Sequence, residues 1–362
     1  MVTVPGGGSA NTTGLNTSTQ TVLGNAIQSL ITNNPGLSDA TVLTSTVTGG
    51  AIATTVGGNA LLELSVSPTA PGSLDLSSVT GGGTALVTLN SAAPMTILGG
   101  AGVNSVIALN DANNVVNTGG GNTTILGGSG NNLFGTPTSG GGNTLIVTGT
   151  GNSTVVAAAG SNTVVAGGQT LIGLGSGDNV VNATGAQATI FGGSGHSTVF
   201  AGTNSTIVGG TGAQTVVGGS GSVIFAGSGG GNLLAAGGGN ETLSGAISGT
   251  GNNTFVGGSG NTLIGGGAGN DTIIGGTGNT TAFGGAGGDM FAFFAGGATG
   301  GGVTTIGDFT AEDKLTVQGY GMTVAQVLAH ATVSGGSTTI SLPDGTKIIL
   351  AGVTNLTASN LV

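Results

Sequence analysis

Residues 257–292 read GGSGNTLIG, GGAGNDTII, GGTGNTTAF and GGAGGDMFA, nine-residue units in unbroken register, with SGTGNNTFV at 248–256 leading into them. Each unit is a glycine-rich turn followed by a short strand with an apolar residue at position eight: Phe255, Ile264, Ile273, Ala282 and Phe291. Glycine suits a turn that passes through φ > 0, where a Cβ is strained. Strand residues alternate inward and outward, so position eight faces a core while positions seven and nine face out. A chain that turns, runs a few residues and turns again winds into a parallel β-solenoid with two units, about 18 residues, per coil.

Weaker copies reach back to about Met95: GGAGVNSVI at 99–107, GGSGHSTVF at 192–200 and GGTGAQTVV at 209–217, with short insertions at 182–191 and 245–247. The repeat thus covers roughly residues 95–300, on the order of 11 coils and about 50 Å at about 4.8 Å per coil. Composition agrees. Glycine fills 82 of 362 positions and only 4% of residues are charged, against about 7% and about 25% in ordinary domains. Collagen is excluded by the missing three-residue glycine period and by only 7 prolines. Ordinary disorder is excluded by a mean hydropathy of +0.40. The expected fold class is all-β: a parallel β-roll over 95–300, an N-terminal β-rich cap or assembly domain over 1–94, and a C-terminal cap over 301–362.

The units at 266–274 and 284–292 resemble the RTX (repeats-in-toxin) nonapeptide G-G-x-G-x-D-x-U-x. The resemblance implies a calcium-binding β-roll. Asp271 and Asp289, at position six, fall on one side of adjacent coils. The turn carbonyls of Gly267, Gly269, Gly285 and Gly287 are candidate partners for a hard cation, since calcium accepts six to eight oxygens in flexible geometry. Asn253, one coil earlier, offers a neutral oxygen. Most units depart from the family at position six, carrying Asn253, Thr262, Thr280, Gln214 or Ser197. Stacked carboxylates repel without a cation, whereas amides and hydroxyls can form hydrogen-bonded ladders. Most coils are therefore expected to hold without metal. Calcium dependence should concentrate in the last quarter, where Asp271, Asp289, Asp308, Glu312, Asp313 and Asp344 lie, and this end should fold first and template the rest.

Beyond the repeats, VTTIGDFTAEDKLTVQGYG (303–321), TVAQVLAHA (323–331) and the stretch from Thr338 to Val362 read as strand, short helix and hairpin, with Pro343-Asp344-Gly345 as the tight turn. This segment resembles the cap of serralysin-like proteins, whose D-F-x-x-x-D element is Asp308-Phe309 to Asp313 here. The resemblance implies a further ion at Asp308 and Asp313, and export by type I secretion machinery through an uncleaved C-terminal signal ending at Leu361-Val362. In the first 94 residues, 20–31 reads as a helix and 41–48, 51–56, 60–66 and 84–89 read as strands.

Charge and motifs narrow the function. The net charge is −10, with Lys314 and Lys347 the only basic side chains, which excludes nucleic acid and anionic membranes as partners. There is no cysteine, hence no disulfide. No apolar run approaches the roughly 18 residues of a membrane span, and Met1-Val2-Thr3-Val4-Pro5 does not start a cleavable signal peptide. His196 and His330 are isolated, outside any H-E-x-x-H pattern. Glu63 and Glu241 have no acidic neighbour, and Asp178 reads as a solvated turn residue. A non-enzymatic reading follows: a secreted, calcium-binding structural protein that self-assembles at the cell surface or in extracellular matrix as a filament, surface layer or biofilm component, with head-to-tail contacts giving open filaments. An alternative is an ice- or surface-binding adhesin using outward Thr254, Thr272 and Thr281. Another is an accessory module of a secreted hydrolase, though residues 1–94 hold only Asp39, Glu63 and Asp75 as ionisable side chains.

Overall fold

A computed structural model describes residues 2–3, 9–10, 41–47, 50–51, 54–56, 60–90, 92–245, 250–296 and 300–362. They belong to two compact units, Met1–Ala186 and Gln187–Val362. The helix expected over 20–31 lies outside the described residues.

In the C-terminal unit the chain winds through two ladders of parallel strands. One runs from Gln187–Phe191 through Asn240–Ser244, Asn261–Gly265 and Asn279–Phe283 to Val303–Ile306; the other from Ser197–Phe200 through Thr254–Val256, Thr272–Ile274 and Met290–Phe294 to Lys314–Gln318. Thr254, Thr272 and Met290 are successive partners, one coil apart. Insertions lengthen the step between Asn240 and Asn261 and between Met290 and Lys314 without disturbing strand register. Position eight fills the interior: Leu243, Ile264, Ala282 and Ile306 from one ladder face Leu234, Phe255, Ile273 and Phe291 from the other, all fully buried. Burial of such a side chain is worth about 1.5–3 kcal/mol. Because each unit supplies only one, coils are stable only when stacked.

The N-terminal unit is built alike. Met95–Leu98, Val115–Asn117, Leu133–Gly135 and Ser153–Ala157 form one ladder; Asn104–Ala108, Thr123–Leu126, Thr144–Val147 and Thr163–Val165 belong to the other. Pairing crosses residue 94: Met95 pairs with Gly72 and Asn104 with Thr84. The strands Thr41–Val47, Ala60–Val66 and Thr84–Leu89 are further parallel rungs of the second ladder. The longer steps between these rungs erase the nonapeptide period, and both faces of the second rung are covered, with residues 61–66 all buried.

The C-terminal edge of the second unit is covered. Lys347–Leu350 pairs parallel with Val303–Ile306 and antiparallel with Ser337–Ser341, which in turn pairs with Ala331–Ser334. The hairpin turns at Pro343-Asp344-Gly345, with Gly345 at φ +88 and Asp344 Oδ1 accepting the Thr346 N–H at 3.0 Å. The expected helix is Val324–Ala329, started by a Thr323–Gln326 capping box. On the other ladder, the Val362 N–H reaches Leu315 O at 3.1 Å. Phe309 docks the cap onto Phe291 with ring centroids 5.8 Å apart.

Most repeat glycines are required for a reason other than φ. Gly276 and Gly278 lack positive φ, yet a Cβ on either would collide with Gly258 O or Gly260 O of the preceding coil. Turn backbones stack in direct contact, leaving no room for a side chain. Gly278→Ala should therefore destabilise the roll by about 1–3 kcal/mol in denaturant melts, while Ser259→Ala, at an exposed turn position, should change nothing. Equal effects would show that the turns have slack.

Candidate metal centre

From Gln214 to the cap, the position-six peptide N–H of one coil donates to the position-six side chain of the following coil. The rungs are Gln214 to Asn232 Oδ1 at 2.9 Å, Asn232 to Asn253 Oδ1 at 3.3 Å, Asn253 to Asp271 Oδ1 at 2.7 Å, Asp271 to Asp289 Oδ1 at 2.8 Å and Asp289 to Asp313 Oδ1 at 2.8 Å. All six residues are buried. The amide part of the polar ladder read from the sequence is thus present, and carboxylates serve it alike through one oxygen, whereas the Ser197 and Thr280 hydroxyls are buried without a partner.

Their second atom separates them. Each amide nitrogen has an acceptor: Gln214 Nε2 donates to Gly212 O at 2.8 Å, Asn253 Nδ2 to Gly251 O at 2.7 Å, and Asn232 Nδ2 to Gly227 O at 3.2 Å and Asn253 Oδ1 at 2.7 Å. Asp271 and Asp289 have an oxygen there instead, and Asp271 Oδ2 and Asp289 Oδ2 are buried without a hydrogen-bond partner. A buried oxygen without a donor is strongly destabilising when charged. Burial, with a smaller contribution from the Asp289 charge, pushes the Asp271 carboxyl up to about 6. Burial likewise raises Asp289, assisted by Asp313 and Asp308.

The turns beside these two acids also differ. Gly267 (φ +102), Gly269 (+122), Gly285 (+97) and Gly287 (+126) make 266–274 and 284–292 the only units, among the described residues, with positive φ at both positions two and four. L-residues avoid that region, so here conformation itself demands glycine. The turns stack through the Ala286 N–H to Gly267 O bond at 2.8 Å and the Gly269 N–H to Ala286 O bond at 2.9 Å. Each orphaned oxygen lies over a position-one glycine: a Cβ on Gly266 would meet Asp271 Oδ2 and Gly284 O, and one on Gly284 would meet Asp289 Oδ2. Carboxylate oxygens without donors, in a cradle a methyl group would fill, suit a hard oxygen-loving cation. Asp271 and Asp289 would hold it as charged donors, with turn carbonyls of Gly267, Gly269, Gly285 and Gly287 as neutral ones. No cluster of three or more His, Cys, Asp or Glu occurs among the described residues, so carbonyls must complete any ligand set. A bound calcium would supply positive charge beside the two carboxylates.

The other candidates are placed differently. Asn253 Oδ1 already accepts the N–H and the Nδ2–H of Asn232, the latter at 2.7 Å, so its amide is spent within the ladder. Asp308 accepts the Gly284 and Gly285 N–H groups, one on each oxygen, at 2.9 Å. Asp313 Oδ2 accepts the Thr310 N–H at 2.7 Å and its hydroxyl at 3.0 Å. Both acids brace the cap and keep spare lone pairs, so calcium at Asp308 and Asp313 stays a proposal. Asp178, His196 and His330 are exposed. One element escaped sequence reasoning: an outer ladder at position five, running the opposite way. Asn270 N–H donates to Asn252 Oδ1 at 2.8 Å and Gly288 N–H to Asn270 Oδ1 at 3.0 Å; in the other unit, Asn143 N–H donates to Asn122 Oδ1 at 2.9 Å. The recurrence of Asn at position five (Asn252, Asn261, Asn270, Asn279) was its signal.

The RTX calcium-binding nonapeptide repeat model matches residues 138–170, 206–245, 247–282 and 261–291. The chain carries RTX calcium-binding repeats. The last two matched segments contain Asp271 and Asp289, so the orphaned oxygens fall within units of a calcium-binding motif. No curated protein matches the chain.

Two outcomes follow from the paired acids. In chelator, Asp271→Asn should raise stability by about 1–3 kcal/mol, because its amide can donate to the turn as Asn253 does, removing an unsatisfied buried group; calcium should stabilise this variant less than the wild type. The pH response is also fixed in sign. The folded Asp271 carboxyl titrates above its ordinary value of 3.8, at about 6, so the folded state holds the proton more tightly than the unfolded chain. Metal-free stability should fall as pH rises from about 4 to about 6 and level off above. The increment from calcium, which needs the ionised form, should grow over the same window. Thermal melts across that range with and without calcium check both.

Proposed function

We propose that this chain is an exported calcium-binding structural protein that associates with copies of itself at the cell surface or in extracellular matrix, forming a filament, surface layer or biofilm component. RTX-repeat proteins are generally secreted, and no described helix is long and apolar enough to cross a membrane. Export through type I machinery, addressed by the C-terminal cap, fits that reading, as does a non-catalytic role.

The observation that carries self-association is the character of the outward faces. In the C-terminal unit Phe191, Val208 and Phe225 form an in-register outward column, and Phe200 and Val217 form another on the opposite ladder; the four residues other than Val208 are exposed. Threonines such as Thr198 and Thr215 flank them, and these strands carry no charge. Ordered apolar columns without charged gatekeepers favour face-to-face contact. Head-to-tail stacking is disfavoured at the C-terminal edge, which the hairpin and Leu361-Val362 cover, so the contact assigned here is between sheet faces. The adhesin reading gains less: in register, Leu233 and Met290 interrupt Thr198, Thr215, Thr254 and Thr272. Absence of thermal hysteresis would dispose of its ice-binding form.

Sedimentation and negative-stain microscopy in millimolar calcium should show ordered assemblies, and Phe225→Asp should reduce them while leaving the melting curve within about 1 kcal/mol, as for an exposed site. A clean monomer at concentrations where other assemblies form would overturn the proposal.

A further inference from the structure

In the N-terminal unit the outer ladder at position five borders a groove. Asn104, Asn122, Asn143 and Ser161 stand at successive corners of the second ladder, one per coil, and form one wall of a cavity of about 510 Å³. Its floor is the outward position seven, where Thr124, Leu145 and Thr163 are half-buried and the buried Val106 closes one end. No charged side chain lines it. The next position-five residue along the row is the exposed Asp178, whose N–H donates to Ser161 Oγ at 3.2 Å.

Each amide in this row is held by a backbone donor. Asn104 Oδ1 accepts the Asn122 N–H at 3.0 Å, Asn122 Oδ1 the Asn143 N–H at 2.9 Å and Asn143 Oδ1 the Ser161 N–H at 3.0 Å. A peptide N–H must face an acceptor, so the orientation of each amide is fixed and Nδ2 is the atom left over. None of these three Nδ2 groups has a partner among the described residues. The first ladder of the C-terminal unit differs: Asn261 Nδ2 donates to Asn240 Oδ1 at 2.9 Å and Asn279 Nδ2 to Asn261 Oδ1 at 3.1 Å, so those amides are spent on one another. The groove therefore carries a row of oriented, free donors about 4.8 Å apart, beside a strip of methyl and methylene groups.

We propose that this groove binds an uncharged linear polysaccharide lying across the coils, about four sugar rings long. Hydroxyl oxygens along one edge of the sugar chain accept from the asparagine donors, while the C–H faces of the rings rest on Leu145 and the threonine methyls. A sugar ring repeats along an extended chain at close to the coil spacing, so a contact made at one coil recurs at the next. An extended peptide, rising about 3.3 Å per residue, falls out of step with the row. Polyanions are repelled by Asp178 and by a net charge of −10. Binding here involves the N-terminal unit alone and is independent of contact between the apolar faces of copies.

The full chain, run in millimolar calcium through native affinity gels cast with hydroxyethyl cellulose, laminarin or pullulan, should be retarded by at least one of the three and not by polygalacturonate. Asn122→Asp and Asn143→Asp keep the oxygen that takes the next N–H and lose only the Nδ2 donor. Each should melt like the wild type and weaken retardation about tenfold. Asn131→Asp makes the same change in the first ladder, outside the groove, where Asn131 Oδ1 accepts the Asn152 N–H at 2.7 Å; it should be retarded like the wild type. Absence of retardation by every neutral glycan would overturn the assignment without recourse to any variant. So would full retardation of Asn143→Asp, or an equal loss in Asn131→Asp. Altered sedimentation of Asn143→Asp in a chain that binds no glycan would make the groove a contact between copies instead, and would equally overturn it.

Discussion

From Gln214 to the cap, where a coil leaves its turn and enters a strand, the peptide N–H of position six points along the stack toward the position-six side chain of the next coil. The position-six carbonyl is already used: Asn253 O takes the Thr272 N–H and Asp271 O takes the Met290 N–H, each at 2.8 Å. The N–H is thus the unmatched group, and it is buried. Leaving it unsatisfied would cost about 1–3 kcal/mol at each of these coils, which a roll of single apolar side chains could not absorb repeatedly. A short polar side chain from the next coil must supply the acceptor. That need explains why position six is buried yet polar throughout, at Gln214, Asn232, Asn253, Asp271, Asp289 and Asp313. It also holds the coils close enough for one turn to rest directly on the carbonyls of the last.

Given that acceptor, metal dependence is decided by one atom. An amide brings its own donor and quiets the turn carbonyl beside it; a carboxylate brings a second acceptor and leaves both oxygens facing each other. Asn232 and Asn253 therefore leave no side-chain atom unpartnered, whereas Asp271 and Asp289 each leave one carboxylate oxygen, and Gln214 one amide oxygen, buried without a partner. The same backbone plan carries amide rungs and carboxylate rungs in one unit, without any change in strand register. The glycine turns follow the distinction: paired positive φ values occur at Gly267 with Gly269 and at Gly285 with Gly287, beside the acids, while Gly276 and Gly278 reach their turn without them.

What the sequence made legible was whatever repeats locally. The period placed Phe255, Ile264 and Ile273 in the core, the spacing put Asp271 and Asp289 on adjacent coils, and Pro343-Asp344-Gly345 marked the hairpin. What it concealed depends on neighbours a full coil away. Ala60–Val66 and Thr84–Leu89 could be seen as strands but not as rungs, because long connections break the period while pairing ignores it. The glycines at 276 and 278 suggested φ, whereas Gly258 O and Gly260 O are what exclude a side chain. Glu241 could be seen to lack acidic neighbours but not to be buried.

The inner ladder has a direction, and the cap follows from it. Each acceptor lies on the C-terminal side of its donor, so every coil relies on the one after it, and the last coil relies on something that is not a repeat. Asp313 is that substitute: it receives the Asp289 N–H just as Asp289 receives that of Asp271. Asp308 does the same for the turn, taking the Gly284 and Gly285 N–H groups, while Phe309 between the two acids anchors the segment on Phe291. The D-F-x-x-x-D element is thus a transposed coil corner, reproducing the acceptors of a following repeat while its intervening residues depart from the strand. The outer ladder cannot replace it, since there Asn252 and Asn270 accept from the coil that follows and leave the terminal inner N–H groups untouched. Two acids and one aromatic ring therefore suffice to end a ladder that would otherwise require another coil.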